Sequence, residues 1–171
     1  MLRKKLYTLV FLFEENNVLL GLKKRGFGYN KWNGFGGKIE QNESIVEAAV
    51  RELKEECCVA VKHENLKNVG RLEFTFEGEP IVMDVRVFSA KVFQGTPRET
   101  EEMTPKWYKY DDIPFDNMWP DDKIWFPYML SGNLFYGKFN YRGFDTIISY
   151  DIKKFDSVHE LNKYNEDLNT N

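Results

Sequence analysis

Residues 36–59 read GGKIEQNESIVEAAVRELKEECCV, in which Glu52, Glu55 and Glu56 lie three and four positions apart. On a helix turning 100° per residue, that spacing gathers them into one arc. Ile45, Val46, Ala49, Val50 and Leu53 form an apolar stripe beside them, while Glu47, Arg51 and Lys54 fill a solvated, salt-bridged side. Carboxylates crowded at the edge of a buried face repel one another and lose hydration unless a cation joins them. Hard divalent cations prefer oxygen ligands, so the arc suits Mg2+, or Mn2+ in its place. By itself the pattern is equally that of an acidic amphipathic helix. The preceding loop tips the balance: Gly34, Gly36 and Gly37 give a backbone that can approach a ligand closely, and Glu43 comes just before the helix. A phosphate chain would complete the coordination of a metal so placed.

A second group of residues suits a nucleobase. Trp119, Asp121 and Asp122 surround Pro120, and with Asn33 they offer an aromatic plate and polar groups for the edge of a base. Two adjacent carboxylates in a shielded pocket do not both ionise, so one can donate a hydrogen bond while the other accepts. Such a pair could read alternative purine edges. Composition alone reads Trp119 equally well as a core aromatic, and the aspartates as an acidic first helical turn.

These groups need a scaffold. Residues 6–13, 18–23, 69–76 and 81–93 are rich in β-branched and aromatic types and are bounded by polar or glycine turns, which predicts strands. Ser44-Ile45-Val46-Glu47 is a capping box, and a helix is predicted from there to Cys57. A second helix is expected from Pro120, kinked or ended early by Pro127. Residues 134–139 and 144–150 read as a strand pair around Tyr141-Arg142-Gly143. The fold class is therefore mixed α and β, with one domain over residues 1–155 and a polar tail, 156–171, expected to fray.

The bulk properties agree. With 171 residues and 42% hydrophobic content, one domain with a sizeable core is enough. Its 24 basic residues against 27 acidic ones, a net charge of -3, do not favour a nucleic-acid polymer, but allow a small anion bound through a metal. No apolar run reaches membrane-spanning length. Met1-Leu2-Arg3-Lys4-Lys5 and the apolar residues after it imitate a secretory leader, but no small-residue cleavage site follows, and Glu14-Glu15-Asn16-Asn17 reads as a turn between strands. Cys57 and Cys58 are adjacent, a poor geometry for a disulfide, and His63 and His159 are far from each other, which speaks against a thiolate metal site. A cytoplasmic monomer is expected, with a nuclear or mitochondrial fraction left open.

Gly37, Glu43, Arg51, Glu52, Leu53, Glu55, Glu56 and Val59 match the pattern G-x5-E-x7-R-E-U-x-E-E-x-G-U, and on these residues the chain resembles the Nudix hydrolases. Six fixed identities at fixed spacing arise by chance on the order of once in ten million start positions. Cys58 departs from the pattern, standing where the family has glycine, at a place where left-handed backbone costs roughly 1 kcal/mol. The resemblance implies an α/β/α sandwich with a mixed sheet. It implies metal binding by Glu52, Glu55, Glu56 and the Gly37 carbonyl, with Arg51 orienting the glutamates.

Over residues 6–150 the likeness narrows. LYTLV, KKRGFG, WNGFGGK, GEP, MDV, QGTP and MWPDD with a following WFP are similar to animal MutT-type oxidised purine nucleoside triphosphatases, the 8-oxo-dGTP hydrolases. That resemblance implies hydrolysis of 8-oxo-dGTP, 2-hydroxy-dATP and related nucleotides to monophosphate and pyrophosphate. It further implies Phe27, Phe74 and Met83 as apolar walls, Thr8 and Lys23 near the ligand, and Glu102 near the metal. Each of these residues alone reads as strand packing or surface charge. A Nudix enzyme for another nucleotide, or a silent nucleotide-binding Nudix domain, are the alternatives.

Overall fold

The computed structural model describes residues 1–167. In β1 (Arg3–Glu14) Phe11 and Phe13 are buried on one face of the sheet and Val10 and Leu12 on the other, because alternate residues of a strand share a face. β2 (Asn17–Lys23) returns from it through a tight turn. β3 (Trp32–Asn33), β4 (Lys67–Phe76), β5 (Ile81–Ala90), β6 (Met103–Lys109), β7 (Leu134–Arg142) and β8 (Thr146–Phe155) complete the sheet among the described residues. Its order is β3-β2-β1-β5-β4-β7-β8, with β6 paired to β2. β1·β5 and β4·β7 are parallel and the other pairs antiparallel, so the sheet is mixed as expected.

β2 pairs with β1 only as far as Leu12↔Leu19, then with β3 at Gly21↔Asn33. Beyond that point β1 and β2 part, and the glycine-rich segment fills the gap. Phe35 bridges Val10, with backbone hydrogen bonds of 3.0 and 2.6 Å, and Lys38 bridges Tyr7. Phe35 is fully buried there, which anchors the loop.

α1 (Ile45–Cys57) lies on one face. The Ser44 hydroxyl accepts from the Glu47 amide and the Glu47 carboxylate accepts from the Ser44 amide, the predicted capping box. Ala49, Leu53 and Cys57 pack with Val10, Leu12, Leu19 and Phe35. The helix ends at Cys58, whose φ of 64° is left-handed, as expected for the position where the family has glycine. α2 (Asp122–Leu130) covers the opposite face, with Trp125 and Phe126 5.6 and 5.1 Å from the Phe11 ring.

α2 does not end early at Pro127, one of the two expected outcomes, but runs through it to Leu130. Proline inside a helix costs about 3 kcal/mol. Burying Trp125, Phe126 and Met129 returns about 1.5–3 kcal/mol each, which outweighs it. The expected fraying tail is instead α3 (Val158–Asp167) over most of its length. The Ser157 hydroxyl accepts from the Glu160 amide at 3.2 Å, and Leu161 is fully buried against Tyr136 and Phe155. Residues 168–171 of that tail lie outside the described residues. The face under α3 also buries charge: Arg71 binds Asp84 through Nε at 2.9 Å and Nη2 at 2.8 Å, and Arg86 reaches the same carboxylate at 3.2 Å. No helix among the described residues is long and apolar enough to cross a membrane.

Candidate active site

The split between β1 and β2 brings the glycine loop against the second half of α1. The Gly36 amide donates to Glu56 Oε1 at 2.7 Å, and Lys23 Nζ lies 3.7 Å from Glu56 Oε2 and 3.2 Å from Glu102 Oε2. Glu56 is only 4% exposed. Burial pushes its carboxyl up to about 7, with the Gly36 amide and Lys23 pulling the other way. Glu52 is raised by burial too, opposed by Arg51.

Arg51 organises the solvent side of the cluster. Its Nε and Nη2 donate to Glu43 at 2.6 and 3.0 Å, and its Nη1 donates to Glu52 at 3.0 Å and Glu55 at 3.3 Å. These hydrogen bonds hold Glu43 below the usual carboxylate range. Glu102 is lowered as well, first by its hydrogen bond from Arg25, whose Nε lies 2.8 Å away. The Thr100 hydroxyl donates to the Glu56 carbonyl at 2.9 Å, which ties the segment before Glu102 to α1.

A side chain on either Gly36 or Gly37 would meet a neighbour. A Cβ on Gly37 would run into the Glu52 carboxylate, and one on Gly36 would run into the Thr8 carbonyl. The Gly37 carbonyl accepts from the Thr8 amide at 2.9 Å, which leaves its second lone pair for another partner.

Among the described residues, no three acidic, cysteine or histidine side chains already converge on a metal position. Arg51 holds Glu52 and Glu55, while Lys23 bridges Glu56 and Glu102. The donor set still fits a hard divalent cation. It consists of carboxylates around a close-approaching glycine backbone, and two of them, Glu52 and Glu56, are driven toward the neutral form by burial.

From Glu56 a cavity of about 530 Å³ runs to the aspartates at the start of α2. Thr8, Lys23, Phe27, Asn33, Gly37, Phe74, Met83, Glu102, Trp119, Asp121 and Asp122 all line it. Glu52, Glu55 and Arg51 stand outside its wall on α1. Asn33 Oδ1 accepts from the Gly34 amide at 2.8 Å.

The two buried aspartates have different surroundings. Asp121 accepts from the Tyr141 hydroxyl and, at 2.8 Å, from Trp125 Nε1. Burial raises it, and those donors oppose the rise. Asp122 is raised well above its ordinary value, by burial and then by the neighbouring Asp121 charge, and its Oδ2 has no partner among the described residues. The Thr8 hydroxyl is likewise buried without a partner. Burial thus favours the neutral form at both carboxyls, and the donors from Tyr141 and Trp125 favour the charged form at Asp121.

Three residues around the site went unnoticed in the sequence. Tyr141 and Trp125 are separated from Asp121 by twenty and four positions, and nothing in the sequence marks Tyr141 as its partner. Arg25 lies two residues past the end of β2, where strand alternation no longer applies, yet it and Lys23 both reach Glu102.

A mixed sheet split by a glycine loop, with a glutamate-bearing helix against it, defines a class: the chain belongs to the Nudix hydrolases, and its residues 3–129 match the NUDIX domain. Members of that family generally use divalent metals. Within the family the chain is 49% identical over 153 residues to the oxidized purine nucleoside triphosphate hydrolase of Mus musculus, covering 90% of this chain and 97% of that protein. It is 47% identical over 161 residues to the protein of the same name from Danio rerio, covering 94% of this chain and 100% of that one. Among solved structures, a MutT protein from Bacillus halodurans superposes with a TM-score of 0.76 at 30% identity, covering 87% of this chain and 97% of that chain.

Proposed function

We propose that the chain hydrolyses oxidised purine nucleoside triphosphates, 8-oxo-dGTP and 2-hydroxy-dATP among them, to the monophosphate and pyrophosphate with Mg2+. The observation that carries this reading is the single cavity joining buried Glu56 at one end to the buried carboxyl pair Asp121 and Asp122 at the other. The names of the mouse and zebrafish relatives support the substrate class.

Glu52, Glu55 and Glu56, with the Gly37 carbonyl and Glu102, would hold the metal. When bound, it makes an attacking water more acidic and offsets phosphate charge. The chain's own residues do the rest. Arg51 keeps the Glu52 and Glu55 carboxylates oriented, and the Gly36 amide fixes Glu56. Lys23 can exchange Glu102 for a phosphate oxygen. At the other end Asp122 donates to, and Asp121 accepts from, the edge of a base lying on Trp119. An oxidised purine differs from its parent in those edge donors and acceptors.

The role we attach to this activity is cleansing the nucleotide pool. The adjacent free thiols of Cys57 and Cys58 suit a reducing compartment, and we take the working unit to be a cytoplasmic monomer.

The test is product analysis with Mg2+ on 8-oxo-dGTP, 2-hydroxy-dATP, dGTP and a nucleoside diphosphate derivative. Monophosphate and pyrophosphate from the two oxidised substrates, lost on chelation, are expected. Release of orthophosphate, or turnover confined to the diphosphate derivative, would sink the reading, and binding without turnover would indicate a silent domain.

A further inference from the structure

Phe144 is an oddity of the surface. It follows Gly143, whose φ is 61°, in the turn between β7 and β8, and it is 55% exposed. Yet its ring makes edge contacts with three others: Phe27 at 5.7 Å and 80°, Phe76 at 5.8 Å and 65°, and Trp119 at 6.0 Å and 83°. Those rings come from three separate segments of the chain, and all three line the cavity, whereas Phe144 does not. Phe27 and Trp119 also lie against each other, 5.0 Å apart and tilted by 32°.

The turn is built to deliver this ring. The pairing of β7 with β8 shifts register between Asn140 and Tyr141, and an irregularity of that kind re-aims the residues beyond it. Tyr141 then meets Trp119 edge-on at 6.4 Å and 87°, while its hydroxyl reaches Asp121. On the far side of the turn, Arg142 pairs with Glu77 at 2.8 Å, and the Glu77 amide donates to the Tyr141 carbonyl at 2.8 Å. The β7–β8 turn is thereby fastened to the β4–β5 turn, with Phe144 held over the cavity mouth.

We propose that Phe144 is a positioning residue for the base: it braces the Trp119 indole and Phe27 from outside, so that the plate is set before substrate arrives. This rests on the reading of Trp119 as the base plate. A free indole at a cavity mouth would have to be ordered on binding, and that ordering would lower affinity without touching the chemistry at α1. Edge-on ring contacts are strong enough to matter, because each pair contributes beyond the area that it buries.

The test is a cycle of Phe144→Ala, Trp119→Ala and the double variant, assayed on 8-oxo-dGTP with Mg2+. Phe144→Ala should raise KM about three- to tenfold, with kcat within about twofold. In the Trp119→Ala background the same substitution should change KM by less than about twofold, because the base plate that it braces is gone. Phe144→Tyr should keep the parental KM, and Phe144→Leu, which removes the ring but keeps an apolar side chain, serves in place of alanine if that variant fails to fold. The fluorescence lost on making Trp119→Phe should shift in the Phe144→Ala protein. An unchanged KM in Phe144→Ala, or a full KM effect in the Trp119→Ala background, would overturn the proposal. An unchanged KM in Trp119→Ala itself would instead overturn the base-plate reading.

Discussion

Glu56 stands at the meeting point of burial, charge and chemistry. Its carboxyl is raised from 4.5 to about 7, so the folded protein keeps a proton there that the unfolded chain has lost between those pH values. Stability contributed at this position therefore falls as pH rises from 4.5 to about 7, and the full loss is in place above that. Glu56→Gln keeps the volume and the acceptor for the Gly36 amide but does not ionise. In metal-free protein it should melt at the parental temperature near pH 4 and about 1–3 kcal/mol more stably at pH 8. Turnover should drop on the order of a hundredfold or more, since the carboxylate needed for the metal is gone. Thermal melts at the two pH values, read beside hydrolysis rates, check both halves, and parental turnover would remove Glu56 from the metal role. Asp122 allows a parallel argument about the base. Asparagine there imitates the neutral donor, so Asp122→Asn should cost no stability; it cannot take up the ionised form that accepts through both oxygens, so the ratio of efficiencies on 8-oxo-dGTP and 2-hydroxy-dATP should change. Asp121→Asn faces two donors, the Tyr141 hydroxyl and Trp125 Nε1, and should lower stability about 1–3 kcal/mol. If the substrate ratio is the same in both variants, the pair does not read the base.

At the scale of elements, two neighbouring glycines in one loop carry different constraints. A methyl group on Gly36 meets the Thr8 backbone, which cannot give way, whereas one on Gly37 meets the movable end of the Glu52 side chain. Gly36→Ala should therefore lower stability by about 1–3 kcal/mol or more. Gly37→Ala should melt close to the parent yet lose about a hundredfold in rate, as displacing a metal-binding carboxylate by an ångström would do. Equal melting losses in the two variants would refute this division. The elements themselves were unequally legible in the sequence. α1 announced itself through Ser44 and Glu47 and through glutamates at helical spacing. β6 did not: Met103-Thr104-Pro105-Lys106 has no clear alternation and contains a proline, which is tolerated because β6 pairs on one side only, with β2. β3 is too short to carry a period at all. In α3 the cue was present as Ser157 three residues before Glu160, but the polar composition around it hid the single buried anchor, Leu161.

Across the whole molecule, the sheet carries the two ends of the proposed site on separate supports. The glutamates belong to α1, and the aspartates stand at the start of α2 on the opposite face; they meet only because β1 and β2 separate and the glycine loop enters between them. This arrangement was illegible in the sequence, since the separation depends on β2 changing partner from β1 to β3 partway along its length. α3 lies over β4, β7 and β8, away from both supports. Leu161→Ala should thus cost about 2–5 kcal/mol of stability, while kcat and KM measured well below the melting temperature stay near parental values; a large change in either would tie α3 to the cavity. The parallel pairing of β1 with β5 has a consequence in time. Residues 3–12 find their β5 partners only after residues 81–90 have been made, and the other edge of β4 must likewise wait for β7. Such distant pairings close slowly, typically over milliseconds to seconds. A growing chain therefore carries the whole glutamate motif while the β5-facing edge of β1 is still open, and that edge is free to pair wrongly for as long as residues 81–90 are missing.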